Sequence, residues 1–217
     1  MKATFTRFRW RRYVLGPNIT KEKFACLGRS DEVIALLKRL PYIKMNNNYE
    51  YMIAPQTYQC DYRRNHFQSP AFTNSRPPYE IPYGFEYPPW VVPSTYGKND
   101  GSYLMLDTTD GTVTDYRVTG GGYPPDYEDG DPRSWRNECE DRTLKLEDFL
   151  NEWKAKHQTI TWMSLTLGHP EIWWIDYRSD PQKTTEFREI QEIIHANGWP
   201  VDFNREECKQ VLENWNV

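Results

Sequence analysis

A chain of 217 residues with 27 Lys and Arg against 31 Asp and Glu, net charge -4, lacks the concentrated basic face that nucleic acid demands. Its four cysteines are too sparse for a disulfide framework, and no apolar run reaches the length of a membrane span. With 38% hydrophobic residues but 9 Trp, 15 Tyr and 9 Phe, it predicts one globular domain, or one with an appendage, whose core leans on aromatic rings.

Cys26, Cys60, Cys139 and Cys208 form no CxxC pair and have no histidine at metal-ligand spacing. Reduced thiols in a cytoplasmic or nuclear protein, with no metal and no cofactor, are the simpler expectation. The N-terminus has charge but no apolar stretch behind it, which argues against a secretory signal.

In chain order, the opening residues alternate Phe5, Trp10 and Tyr13 with Lys2, Arg7, Arg9, Arg11 and Arg12. This reads as an edge strand blunted by charge; the sharper alternative is a docking arm for an acidic partner or lipid. Ser30 reads as an N-cap, with Asp31 and Glu32 in a first turn that favours acids. Val33, Leu36, Leu37 and Leu40 then recur at helical spacing until Pro41, predicting a helix over 31–40. YEYMIAP reads as a strand. Residues 77–90, dense in proline and aromatics, read as a loop packed down by its rings, or as the wall of a ligand site.

Residues 91–118 carry the clearest β pattern. Ser102 to Asp107 and Thr112 to Val118 flank Thr108, Thr109, Asp110 and Gly111, a connection suited to a type I turn with left-handed glycine. The apolar run Tyr103 to Leu106 predicts a strand covered on both faces. An acidic, glycine- and proline-rich stretch follows and reads as a flexible, solvated loop. Leu146, Phe149, Leu150 and Trp153 then predict a helix over 144–157 with a buried stripe. Beyond it, TITWMSLTLG and EIWWIDYR read as strands. Asp180 and Pro181 start a helix with the stripe Phe187, Ile190, Ile193 and Ile194, closed by Asn197 and Gly198. Asn204 with Glu207 starts the last helix, with Cys208, Val211, Leu212 and Trp215 on its apolar face.

Motifs for nucleophilic, zinc or phosphate chemistry are missing, and no residue is put forward as catalytic. Cys60, Asp61 and His66 make a set on paper only, since catalysis needs proximity that spacing does not establish. His157 and His195 fall in last turns, where a cation suits the helix dipole. Asp107 and Asp110 read as turn chemistry, carboxylates bonding nearby amides, in preference to an acid pair or cation site. Asp126, Glu128, Asp129 and Asp131 lack the ligand order of a calcium loop.

Gly101 to Tyr116, centred on LDTTDGTV, resembles the core hairpin of the SUKH superfamily, and Thr143 to Leu150, TLKLEDFL, is similar to the helix start that follows it there. The order and the polar loop between the two also agree. The resemblance covers residues 91–157; Asn46 to Asn48 stand where the family usually has an asparagine-glycine turn, and residues beyond 157 lie outside its core. It implies an α+β fold, a mostly antiparallel central sheet backed by helices over 1–157; residues 158–217 are expected as a helical C-terminal extension packed on the same domain. It also implies a non-catalytic role in binding a protein, regulatory or immunity-like. Asp107, Asp110 and Gly111 are the fold-defining turn. For partner binding, the aromatic anchors expected are Trp90, Tyr123, Tyr127 and Trp135, with Asp129 in an acidic loop that steers a basic protein. The alternatives are an enzyme or small-molecule binder whose pocket is walled by 77–90, Trp173, Trp174 and Tyr177, and a glycan binder using surface Trp and Tyr.

Overall fold

The computed structural model describes residues 16, 18–43, 51–63, 87–97, 100–117, 127–139, 142–167, 169–176 and 179–215. The basic arm at 1–13, residues 77–86, His66, Tyr123 and Tyr177 lie outside the described residues.

Helix α1, Asp31–Arg39, starts where Ser30 caps it by accepting from the Val33 amide, and turns Val33, Ile34 and Leu37 inward. Strands β1, Met52–Ala54, and β2, Thr57–Gln59, form a tight hairpin. The next extended segment is broken at Ser94 into β3, Val91–Pro93, and β4, Thr95–Gly97. Strand β4 pairs with β2, and β3 pairs with β5, Tyr103–Asp107. The Ser94 carbonyl accepts from Cys60 on one side while its amide donates to Leu104 on the other. One bent strand thereby serves two sheets, one of three strands in the order β1-β2-β4 and one of four that begins β3-β5.

Strand β6, Thr112–Tyr116, pairs antiparallel with β5 in the register Asp107 to Thr112. All five residues of β5 are buried, as its unbroken apolar run requires. Gly111 takes the left-handed φ of +67° that the connection between them needs. A third strand, β7, Thr143–Lys145, lies along β6. Helix α2 therefore begins later than its sequence pattern suggests, at Leu146–Gln158. Its first amide, from Leu146, donates to the Gly111 carbonyl, so the pull of the sheet wins over the helical periodicity at 143–145. The predicted stripe is half right: Phe149 is buried and Trp153 packs on the core, but Leu146 and Leu150 are 36% and 54% exposed.

A third sheet pairs β8, Met163–Leu167, antiparallel with β9, His169–Trp173. Helices α3, Pro181–Ala196, and α4, Arg205–Asn214, follow, capped by the side chains of Asp180 and Asn204. Their inner faces, Phe187, Ile190, Cys208 and Leu212, meet Ile160 and Met163 in a core distinct from the first. Val211, expected on that inner face, is 42% exposed. The whole is an α+β protein, with every strand pair among the described residues antiparallel and a helical C-terminal part. No helix among the described residues is long and apolar enough to cross a membrane.

The two cores meet at the end of α2. Ile160 adopts a left-handed φ of +54°, ending the helix and entering the second core. Trp199 Nε1 donates to the Gln158 carbonyl, and His157 Nε2 lies 3.3 Å from the carbonyl of Ile53 on β1. Burial pushes the His157 imidazole below its ordinary value, against the pull of two backbone bonds. The ring expected to act as a charged helix cap is instead bonded to another element.

Candidate functional site

The hairpin turn collects the predicted site residues at one end of the sheet. Asp107 Oδ1 accepts from the Thr109 amide and hydroxyl, and Asp110 Oδ1 accepts from the Thr112 amide and hydroxyl. Each carboxylate spends one oxygen on the turn, as short acidic side chains beside turns do. The second oxygens go elsewhere. Arg136 Nη2 donates to Asp107 Oδ2 at 2.9 Å, to Asp110 Oδ2 at 2.8 Å and to the Thr112 hydroxyl at 2.9 Å. The Arg136 and Asp107 side chains are 5% and 2% exposed, so this is a buried ion pair. Burial pushes the Asp110 carboxyl up, but the Thr112 hydroxyl and Arg136 outweigh it and hold it below the usual carboxylate range.

Arg136 comes from Ser134–Glu138, a short 3₁₀ helix in the acidic stretch. That stretch is not the loose, solvated loop its composition suggests, at least over 127–139. Asn137 grips the Tyr127 peptide from both sides, accepting from its amide and donating to its carbonyl. Trp135 is corrected outright: at 6% exposure it belongs to the first core and presents nothing to a partner. The reason is that Arg136 must reach inward to Asp107, and its neighbour follows it down. Trp90 is half-buried against the same core, and its carbonyl accepts from the amide and hydroxyl of Thr108. Tyr127 is half-buried beneath the Arg133 guanidinium, 4.6 Å from its ring centre. Arg133 also binds Asp131 and draws that carboxyl down to about 2. Glu128 and Asp129 are exposed, with no ion-pair partner among the described residues. Trp90, the turn and Tyr127 to Asp131 therefore share one acidic corner.

Arg136 was the residue that sequence reasoning missed. Its signal was a base beside a tryptophan within a run of acids, downstream of a strand ending in aspartate. Asp61 has a structural role too: Arg63 binds it through Nε at 2.7 Å and Nη2 at 2.5 Å. Cys60 is buried beside it. No group of three or more His, Cys, Asp or Glu among the described residues is placed to hold a metal ion.

A second concave site lies at the opposite end of β5. A cleft of about 370 Å³ opens between the β1–β2 hairpin, through Met52, Gln56 and Tyr58, and the segment Glu171 to Trp174 with Lys183. Trp173 and Trp174 wall it as the sequence suggested, and the β1–β2 hairpin faces them; of the expected wall 77–90, residues 77–86 lie outside the described residues. Gln56 holds a left-handed φ of +49° in the hairpin turn. Gly101 makes that turn possible: a Cβ there would stand 2.1 Å from the Gln56 carbonyl oxygen. Thr57, 1% exposed, donates its hydroxyl to the Pro55 carbonyl and accepts from the Ser102 amide, locking the hairpin to β5.

Comparison with known proteins adds no relative: no family model, curated protein or solved structure matches this chain.

Proposed function

We propose that this protein is a non-catalytic binding module, SUKH-like in its hairpin and following helix, that docks a basic face of another protein against the acidic corner. The observation that carries this reading is the corner's pre-organisation. Glu128 and Asp129 have no ion-pair partner among the described residues, on a segment whose neighbours Trp135, Arg136 and Asn137 are committed to the core and the turn. A fixed patch of unpaired charge steers an oppositely charged partner and loses little entropy on docking. Tyr127 and Trp90, both half-buried, supply the aromatic surface beside it. Cys60, Cys139 and Cys208 are buried thiols, which suit a reducing compartment, so we place the activity in cytoplasm or nucleus.

The test is capture of binding proteins by wild type and by the double variant Glu128→Lys, Asp129→Lys, with folding checked by circular dichroism. Selective loss of a salt-sensitive partner is expected. Identical recovery from both would remove the corner from the account.

A second reading, a small-molecule binder, is favoured by the cleft between the hairpin and β9. At about 370 Å³ it falls at the lower end of ligand-pocket sizes.

A further inference from the structure

The cleft carries two charges that no described residue pairs with. Lys183 is the third residue of α3, its backbone fixed by donation of its amide to the Asp180 carboxylate at 2.7 Å. Its ammonium lies 5.0 Å from the centre of the Trp174 ring and makes no ion pair among the described residues. Glu171, on β9, lines the same cleft, and it too lacks an ion-pair partner among the described residues. One wall thus offers a cation resting on an indole face and a carboxylate on the neighbouring strand. Between these and the hairpin lie Met52, Tyr58 and Trp173.

This combination restricts the occupant. A simple anion would gain Lys183 but bring its charge against Glu171, and a simple cation would meet the reverse. A neutral apolar ligand would shield both charges from water and pair neither, which is costly in a partly closed site. A molecule bearing both charges around an apolar or aromatic group satisfies every wall. Its carboxylate meets Lys183, its ammonium meets Glu171, and its ring enters the apolar space beside Trp173 and Tyr58. Aromatic packing and charge-assisted hydrogen bonds then act on different parts of one small ligand.

We propose that the cleft is a binding site for a zwitterionic ligand of the amino-acid class, a free aromatic amino acid or a short peptide with an apolar side chain. The proposal rests on the small-molecule reading of the cleft and is independent of the acidic corner. The two sites lie toward opposite ends of β5, a strand about 17 Å long by the rise of extended backbone.

Calorimetric titration of the full chain with phenylalanine, tryptophan and alanyl-phenylalanine tests it. Each is compared with its N-acetyl and its C-terminal amide form. The free zwitterions are expected to bind at least about tenfold more tightly than either blocked form, the usual worth of a hydrogen bond to a charged group. Lys183→Met should abolish the preference for a free carboxylate alone, and Glu171→Gln the preference for a free amine alone. Both substitutions are of surface-accessible side chains, and thermal melting confirms that the variants fold. Equal binding of blocked and free forms by wild type overturns the zwitterion while leaving a ligand cleft. No saturable heat with any probe, blocked or free, overturns both. Variants that bind all forms with the wild-type ranking remove Lys183 and Glu171 as the recognising groups.

Discussion

The first core buries Thr57, Thr95, Asp107, Thr112, Thr114 and Arg136 among its apolar side chains, whereas the C-terminal core is built from Ile160, Met163, Phe187, Ile190, Cys208 and Leu212. Every buried polar or charged side chain among the described residues precedes α2. In the first core, position is therefore dictated by partners: Thr95 accepts from Leu104 and donates to Ser102, and Arg136 spans Asp107, Asp110 and Thr112. Such groups tolerate few alternatives, because an orphaned one is expensive. The second core relies on amphipathic faces and helix caps, which accept any apolar side chain of about the right volume. The lesson is that the end of the molecule with the proposed docking corner is held by buried polar contacts, and the appended end by an apolar core with its polar contacts at helix ends and the surface.

The contrast is most strongly broken at Arg136. Arg136→Ala leaves the Asp107 carboxylate buried without its cation and should cost about 3–5 kcal/mol in urea unfolding. Replacing Arg136 by Met together with Asp107 by Leu should recover much of that loss, because neither charge is then stranded. A single variant within about 1 kcal/mol of wild type would show that the clamp contributes little. In the other core, Ile190→Ala should cost about 2–5 kcal/mol through a cavity. Amide exchange should then accelerate in α3 and α4 while β5 and β6 keep their protection. Equal acceleration in both regions would mean one cooperative unit.

Smaller effects sharpen the picture. Gly111→Ala meets no atom within 4 Å but must keep φ at +67°, so a loss of roughly 1 kcal/mol is expected from backbone strain alone. Acid should act in two steps. His157 is held below its ordinary value, so its contribution is full above about pH 6.5 and fades as pH falls through the lowered value. That step loosens the junction at Ile53, and His157→Gln should erase it from a stability–pH curve. Asp110 is held below the carboxylate range, so its contribution is present above about pH 4 and is lost as pH falls through its lowered value. Asp110→Asn should flatten that second step.

The elements with strong local signals were readable in advance. Ser30, Asp180 and Asn204 cap the helices their positions announced, and the turn at 108–111 forms with glycine left-handed. Where local and nonlocal forces disagreed, the pattern misled. Thr143 to Lys145 carry helical periodicity into α2 but join the sheet through Thr112 to Thr114. Trp135 has the composition of a loop anchor, but Arg136 draws the segment inward. The cleft was half legible: Trp173 and Trp174 stood out as a pair, while Gln56, Tyr58 and Lys183 had no common signal in the chain.

By itself, then, the amino-acid sequence determined the local grammar: caps, turn, buried strand, and the separation of an α+β core from a helical ending. These depend on neighbours a few residues apart, through dipoles, φ preferences and side-chain periodicity. Tertiary structure alone decided that a base from the acidic loop would pair with Asp107, and that Lys183 would share a cleft with Tyr58. Both decisions join residues far apart in the chain, where burial and charge pairing, rather than local propensity, set the free energy.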